Sequence, residues 1–222
     1  MQFLFNEEAG KDSLVIDGDS YKYLFKVRRI KSGSIVELRN LKDSNLYLYR
    51  VVSIDRKSAT ISLIGSEEKE VMPQKSLTIG WCIVDPKTIE KSIASLNEIG
   101  VTRIVFIKCA YSQANFKINI DRLEKILINS SQQCGRSSKM QLGFANSIFD
   151  FLSDYPNSFL LDFSRNRVDD TLDISSIVIG CEGGLSKDER ALFKENRVIG
   201  FDTPLILRSE SAAIAVASKV LI

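Results

Sequence analysis

The sequence predicts an α/β protein in which a small β-barrel domain precedes a larger domain built on a mostly parallel sheet. Three observations carry this prediction. Short β-rich runs separated by turn residues fill the chain up to the charged run Glu67-Glu68-Lys69-Glu70. That run and Pro73 interrupt both strand and helix patterns, which places a linker at about 66–75 and domains at 1–68 and 74–222. Beyond it, apolar runs of strand length alternate with segments of helical periodicity, the pattern of a parallel sheet covered on both faces.

The N-terminal strands are expected at 3–5, 13–16, 35–39, 47–54 and 59–64, with turns at pairs such as Asp17-Gly18 and Ser32-Gly33. Residues 21–33 read as an amphipathic strand or helix. Past the linker, 77–84 is a strand, and Pro86 suits the first turn of a helix over 88–99, where Ile89, Ile93, Leu96 and Ile99 share a face until Gly100 ends it. Further strands are expected at 101–107, 158–163, 176–179 and 197–201, and further helices at 120–134, 187–196 and 211–220. The last of these continues in Ala, Ile and Val almost to the chain end with only Lys219 charged, so it has to be buried.

Composition sets limits rather than a function. The 222 residues are 44% hydrophobic and 26% charged, ordinary for one or two globular domains. A net charge of +2 is too small to mark a nucleic-acid binder, so any RNA contact must come from local basic patches. The start MQFLFNEEAGKD has no signal-peptide pattern and no run approaches bilayer length, so a cytoplasmic protein without membrane contact is expected. The chain has no His, and Cys82, Cys109, Cys134 and Cys181 show no CxxC spacing. His-based triads, imidazole zinc sites and His proton shuttles are therefore excluded, and no metal is expected. Cys134 and Cys181 read as small buried hydrophobes rather than nucleophiles.

Three segments carry candidate chemistry. In IGCEGGLSKDE, residues 179–189, an apolar run ends in Gly180, Gly183 and Gly184, and Ser186 with Glu189 has capping-box spacing. The glycines fit neither a Walker loop nor GxGxxG, so the residues alone leave a plain connection and a ligand loop both open. In LILRSESAA, residues 205–213, Arg208 and Glu210 stand at the start of a small-residue helix, either as a surface ion pair or as a polar site. YKYLFKVRRIKSG, residues 21–33, mixes Lys22, Lys26, Arg28, Arg29 and Lys31 with Tyr21, Tyr23 and Phe25, as a surface for phosphates and stacked bases would, or as a solvated basic face would.

GCEGGLSKDE and LILRSESAA, together with QQCGR at 132–136, resemble the motifs of the 16S ribosomal RNA uridine-N3 methyltransferases of the SPOUT class, the RsmE type, in the family's order and over nearly the whole chain. The resemblance implies a PUA-like RNA-binding barrel, a knotted α/β methyltransferase domain, S-adenosyl-L-methionine as cofactor, a homodimer, and 16S rRNA or the small ribosomal subunit as partner. It places the cofactor at loops starting near Asp162, Gly180 and Phe201, with Glu182, Gly183, Asp202, Thr203, Leu205 and Leu207 as further contacts. Methyl transfer from a sulfonium gains chiefly from alignment, but uridine N3 carries a proton at neutral pH, so the site must remove it or stabilise the uracil anion. Arg208 suits the anion, and Glu210 suits either orienting Arg208 or acting as the base. N3 lies on the pairing edge, so the target must be unpaired or extruded, and the RNA is held elsewhere, by Lys22, Lys26, Arg28, Arg29 and Arg136.

The sequence departs from the family pattern at several positions. Tyr23 replaces a His, Arg28 a Leu, Gln132 a Glu, Met140 a Pro and Cys181 a Pro, and Asp202-Thr203 stands where Leu-Gly is usual. A β-branched Thr203 would crowd the backbone where the cofactor adenine lies. Two other readings remain at this point: a catalytically silent RNA-binding or ribosome-assembly protein, and a binding module for another nucleotide.

Overall fold

The computed structural model describes residues 2–113, 117–169 and 171–222. They form two compact units, Met1–Met72 with Ser131–Lys139, and Pro73–Ser130 with Met140–Ile222.

In the first unit, β1 (Leu4–Phe5), β2 (Ser13–Ile16), β3 (Ile35–Arg39), β4 (Asn45–Ile54) and β5 (Ala59–Glu68) make one sheet in the order β1-β3-β4-β5-β2. β1 is parallel to β3 and the other pairs are antiparallel. Register shifts at Leu48/Tyr49 and Val51/Ser53 bend the long β4–β5 hairpin over a core of Leu14, Ile16, Leu38, Tyr49, Val51 and Ile61. β5 runs further than expected: Glu67 and Glu68 pair with Leu46 and Asn45, so the start of the charged run belongs to the sheet and not to a linker. This end of β5 runs past the stretch paired with β2, and Ser66, Glu67 and Glu68 are all exposed to water there.

Residues 18–27 are helical: α1 (Gly18–Tyr21) continues into a π-helical turn, Lys22–Val27. The Asp17-Gly18 pair therefore opens a helix. Tyr21 and Phe25 point into the core with ring centroids 5.2 Å apart, and the Tyr21 hydroxyl donates to the Asp55 carbonyl at 2.6 Å. Neither ring can stack on a base, which corrects the expectation of an aromatic surface here. The segment 131–139 is tied into this unit by Gln132, whose carbonyl accepts from Gln2 N–H and whose side-chain oxygen accepts from Phe5 N–H, both at 2.7 Å.

The second unit contains β6 (Thr78–Cys82), α2 (Pro86–Ile99), β7 (Arg103–Ile107), most of α3 (Ile120–Cys134), β8 (Gln141–Ala145), α4 (Ile148–Asp154), β9 (Phe159–Leu161), β10 (Ser176–Ile179), α5 (Lys187–Arg190), β11 (Val198–Ile199) and α6 (Ser209–Leu221). Its six strands pair in parallel throughout, in the order β11-β9-β10-β6-β7-β8. Every residue of β6 and β10 is buried, as befits central strands covered on both faces. α2 begins as the sequence predicts, with Pro86 in its first turn and the Asp85 carboxylate accepting from Lys87 N–H, and it ends at Gly100 with φ 112°. α6 buries Ala213, Val216 and Ala217 and packs on α2 and β10.

Three expectations change. β8 and α4 occupy a stretch to which the sequence assigned nothing. The helix expected over 187–196 stops at Arg190, because Phe193 must turn inward while Leu192 stays exposed, and a 3-10 turn (Glu195–Arg197) leads into β11. The strands at 158–163 and 197–201 shorten to β9 and β11, because their C-terminal ends leave the ladder to hold each other.

That mutual grip runs along both sides of one segment. Residues 198–200 lie against β9 on one side, with Val198 opposite Leu160 and Ile199 opposite Leu161, and against the loop after β9 on the other. Gly200 N–H donates to Asn166 O at 2.8 Å, and Val168 N–H donates to Gly200 O at 3.0 Å. A Cβ on Gly200 would stand 2.7 Å from Asp162 O, so only glycine lets the chain pass here. Segment 159–168 thus holds the later segment on two sides. Among the described residues no helix is long and apolar enough to cross a membrane.

Candidate functional site

The chain runs β6, β7, β8 outward on one side of the sheet and then crosses to β9, β10 and β11 on the other. In open parallel sheets the crevice beyond the C-terminal strand ends at such a reversal is where ligands bind. The loops after β9, β10 and β11 all leave the sheet at that end. They are tied to one another pairwise. Asp162, after β9, pairs with Arg190 of α5 at 3.1 Å, and the Arg167 guanidinium donates to Phe201 O, after β11, at 3.0 Å. The hydroxyl of Ser209 donates to Gly180 O, after β10, at 2.6 Å. The structure therefore brings Asp162, Gly180 and Phe201 into one set of loops.

The glycine turn is held from beneath and from the side. Gly184 has φ 70°, and its N–H donates to Cys181 O at 2.9 Å; Gly180 and Gly183 do not take positive φ. Their smallness serves contact instead. A Cβ on Gly180 would lie 3.2 Å from Gly184 Cα, and one on Gly183 would lie 3.1 Å from Tyr111 Cβ. The capping box at Ser186 forms, and its Glu189 carboxylate does more than cap: Oε2 accepts from Ser186 N–H and hydroxyl at 2.9 Å, while Oε1 accepts from Ala110 N–H at 2.7 Å. One carboxylate thus joins the loop after β7 to the loop after β10. Glu182 and Gly183 are exposed above this support.

The loop after β11 presents apolar side chains to solvent. Leu205 is 70% exposed and Ile206 80%, with Phe163 from the loop after β9 also exposed. Asp202 reaches Arg167 at 3.6 Å, and the Thr203 hydroxyl folds back to accept from Leu205 N–H at 3.2 Å. Thr203 is itself exposed, so its branched Cβ is not wedged into the turn. Leu207 leads to Arg208, the residue before α6, which is exposed and makes no side-chain hydrogen bond or ion pair among the described residues. Glu210 is half-buried in the first turn of α6, and no ion pair joins it to Arg208. Two residues apart at a helix start, the side chains do not face each other.

Three cysteines meet under the same loops. Cys82, Cys109 and Cys181 are buried, with Cys109 Sγ 3.7 Å from Cys181 Sγ and 3.0 Å from Ser112 Oγ. Hydrogen-bonding contacts with Cys181, Cys82 and Ser112 draw the Cys109 thiol below its ordinary range, and the same contact with Cys109, together with burial, pushes Cys181 up. Cys181 is the buried residue expected from the sequence. Cys134 is not: it is exposed. No group of three or more His, Cys, Asp or Glu among the described residues is placed to hold a metal.

In the first unit, Lys22, Lys26, Arg28 and Arg29 are all exposed on the helical segment. Lys22 pairs with Asp19 at 2.9 Å, and Lys26 lies 5.5 Å from the centroid of the Tyr21 ring. Arg28 and Arg29 carry their charge into solvent, Arg29 from a left-handed backbone with φ 54°. Arg136, expected beside them on an RNA surface, is only 4% exposed, and burial lowers its pKa.

Sequence reasoning missed Trp81, Ser209, Tyr111, Gly200 and the second role of Glu189. Ser209 sat inside a motif already singled out, and Ser186-to-Glu189 spacing gave the cap. Nothing in the sequence signalled that Trp81 and Ala110 would be the partners.

Comparisons with known proteins agree with this geometry. Residues 71–221 match the RNA methyltransferase domain family, and residues 16–64 match the RNA methyltransferase PUA domain family. The ribosomal RNA small subunit methyltransferase E of Helicobacter pylori (strain ATCC 700392 / 26695) is 39% identical, over 98% of each chain, and that of Aquifex aeolicus is 26% identical, again over 98% of each. A probable rRNA-methyltransferase from Porphyromonas gingivalis shares the fold with a TM-score of 0.83 at 21% identity, covering 98% of this chain and 95% of its own. The ribosomal RNA small subunit methyltransferase E of Neisseria gonorrhoeae, solved bound to S-adenosyl methionine, shares it with a TM-score of 0.76 at 17% identity and the same coverage. A PUA-like unit and an all-parallel α/β unit, with both family matches and 39% identity to the Helicobacter pylori enzyme over nearly the full chain, mean that the chain belongs to the ribosomal RNA small subunit methyltransferase E family.

Proposed function

We propose that this protein transfers a methyl group from S-adenosylmethionine to N3 of a uridine in 16S rRNA. The observation that carries the reading is the tied set of loops after β9, β10 and β11, which ends in an exposed Arg208 one residue from the buried Ser209. The exposed backbone of Glu182 and Gly183 and the apolar side chains of Leu205 and Leu207 fit a ligand with an adenine and a methionine part. Asp162, Phe201, Asp202 and Thr203 complete the rim. When bound there, S-adenosylmethionine supplies a methyl group already activated by its sulfonium.

The chain's own residues then have two tasks. Arg208 aims a permanent charge at the uracil oxygens and stabilises the anion that forms as N3 loses its proton. Glu210, which is not committed to Arg208, accepts that proton. The domain of residues 1–68 holds the RNA through Lys22, Lys26, Arg28 and Arg29, and the domain of residues 74–222 carries the chemistry. Exposed Phe163 and Ile206 suit cover by a second copy, so the working form is a homodimer acting in the cytoplasm on rRNA or the small subunit.

Mass spectrometry of 16S rRNA from cells with and without this protein tests the reading. Loss of one methylated uridine, restored by the wild-type chain, is expected; an unchanged methylation pattern would overturn it. Calorimetry with S-adenosylmethionine, its demethylated product and ATP tests the cofactor separately, and binding of ATP alone would point to the nucleotide module instead.

A further inference from the structure

We propose that Cys109 and Cys181 form an oxidisable dithiol, which a peroxide converts to a disulfide that fixes the glycine turn to the loop after β7. The consequence for cofactor binding rests on the function proposed above; the chemistry of the pair does not.

The fold brings the two sulfurs together without help from sequence spacing. β10 and β7 flank β6, which puts them about 9.6 Å apart within the sheet. Past the strand ends the two loops converge over β6, and the sulfurs come to 3.7 Å. A disulfide needs about 2.0 Å, so a closure of about 1.7 Å completes the bond. Both residues sit in loops, where such a shift is feasible. Cys82, the third thiol of the cluster, sits within β6 and is fully buried, which holds its backbone fixed.

Reactivity divides the roles. Cys109 Sγ has the Ser112 hydroxyl 3.0 Å away to donate to its thiolate, and the thiolate is the form that attacks. Its thiolate displaces hydroxide from the peroxide: an S–O bond forms, the O–O bond breaks, and the hydroxide leaves as water after taking the proton. The resulting sulfenic acid is attacked by Cys181 Sγ; the S–S bond forms, the S–O bond breaks and a second water leaves. Two thiols are oxidised and one peroxide is reduced. Cys109 and Cys181 are 9% and 7% exposed, and Tyr111, Glu182 and Gly183 beside them are open to solvent, so a small oxidant has access where a protein thiol does not.

Closure acts directly on the glycine turn. Cys181 lies between Gly180 and Glu182, and Gly183 already stands close enough to Tyr111 that a Cβ would meet it at 3.1 Å. Drawing the loops together presses these residues on each other and displaces the exposed backbone of Glu182 and Gly183.

The full-length protein is treated with hydrogen peroxide, its remaining thiols are alkylated under denaturing conditions, and its peptides are mapped by mass spectrometry. A Cys109–Cys181 linked peptide is expected, reversed by dithiothreitol and absent from Cys109→Ser and from Cys181→Ser. A Cys82–Cys109 link, or sulfonate on Cys109 with no link, would overturn the dithiol. Calorimetry then compares S-adenosylmethionine affinity of oxidised and reduced samples of the same protein. The oxidised wild type is expected to bind at least about tenfold more weakly, because the backbone that closure displaces is the backbone proposed to hold the cofactor. The same ratio should be near one in Cys109→Ser. A linked protein with unchanged affinity would refute the effect on the turn. Failure of the reduced protein to bind the cofactor would instead refute the proposed function, while the mapping still decides the dithiol.

Discussion

The indole N–H of Trp81 donates to the hydroxyl of Ser209 across 2.8 Å, with both residues buried and 128 positions apart in the chain. The same hydroxyl donates its own hydrogen bond to Gly180 O at 2.6 Å. A residue at the core of β6, the first residue of α6 and the start of the glycine turn are thereby held by one oxygen, and Arg208 is set by the residue beside it.

Removing that oxygen leaves a buried indole N–H and a carbonyl without partners. Ser209→Ala is expected to cost about 1–3 kcal/mol, seen as a Tm lower by roughly 2–4 °C for each kcal/mol, and to weaken S-adenosylmethionine binding. Ser209→Thr keeps the hydroxyl and should restore most of both. An unchanged melting curve in Ser209→Ala would show that the bond contributes nothing.

Two glycines should fail in different ways. In Gly200→Ala the added Cβ meets backbone, 2.7 Å from Asp162 O and 3.1 Å from Ser164 N, neither of which can swing aside. The variant should lose about 1–3 kcal/mol or more in urea unfolding. In Gly183→Val the added Cβ stands 3.1 Å from Tyr111 Cβ, between two exposed loop residues that need to part by only a few tenths of an ångström, so stability should hold while calorimetry shows weaker cofactor binding. If Gly183→Val binds the cofactor as the wild type does, the glycine turn is not the site.

Elements with a complete local signature were legible in the sequence. Residues 120–134 and 35–39 show this: each matches a single periodicity and has clear breaks at its ends. β8 was not legible, because Gln141–Ala145 alternates weakly and becomes a strand only by pairing with β7. α4 did leave a signal: the Ser147 hydroxyl accepts from Asp150 N–H at 3.0 Å, a Ser-x-x-Asp start that the sequence shows plainly. The site was legible where one motif held its residues, as with Gly180 to Glu189. It was illegible where partners were remote, as with Trp81 and Ser209, or with Cys109 and Cys181, which the loops after the two strands flanking β6 bring together from 72 residues apart. Tyr21 and Phe25 misled for a related reason: an aromatic among lysines looks like a stacking surface until a helical turn sends it inward.

The homodimer has its own test. Light scattering at micromolar concentration should give twice the chain mass of 24.9 kDa, and Ile206→Glu, which places a charge on an exposed apolar position, should shift it toward one chain. A wild-type protein that scatters as a single chain would remove the dimer from the proposed function.

The roles of the two basic regions separate most sharply in kinetics. Arg28 and Arg29 are exposed on the first unit, where each would neutralise a phosphate, whereas Arg208 stands at the loops of the second. Arg28→Ala with Arg29→Gly, the glycine chosen because φ there is 54°, should weaken RNA binding. It should also flatten the slope of log K against log salt by roughly 0.7–0.9 for each charge removed. Turnover at saturating RNA should survive. Arg208→Ala should do the reverse, lowering turnover by roughly a hundredfold or more with little change in RNA affinity. The difference follows from when each charge acts: phosphates are negative before and after reaction, so their contacts bind substrate and transition state alike, while the uracil anion exists only as the methyl group moves. If both variants lose RNA affinity equally and keep turnover at saturation, Arg208 is another RNA anchor and the anion is stabilised by some other group.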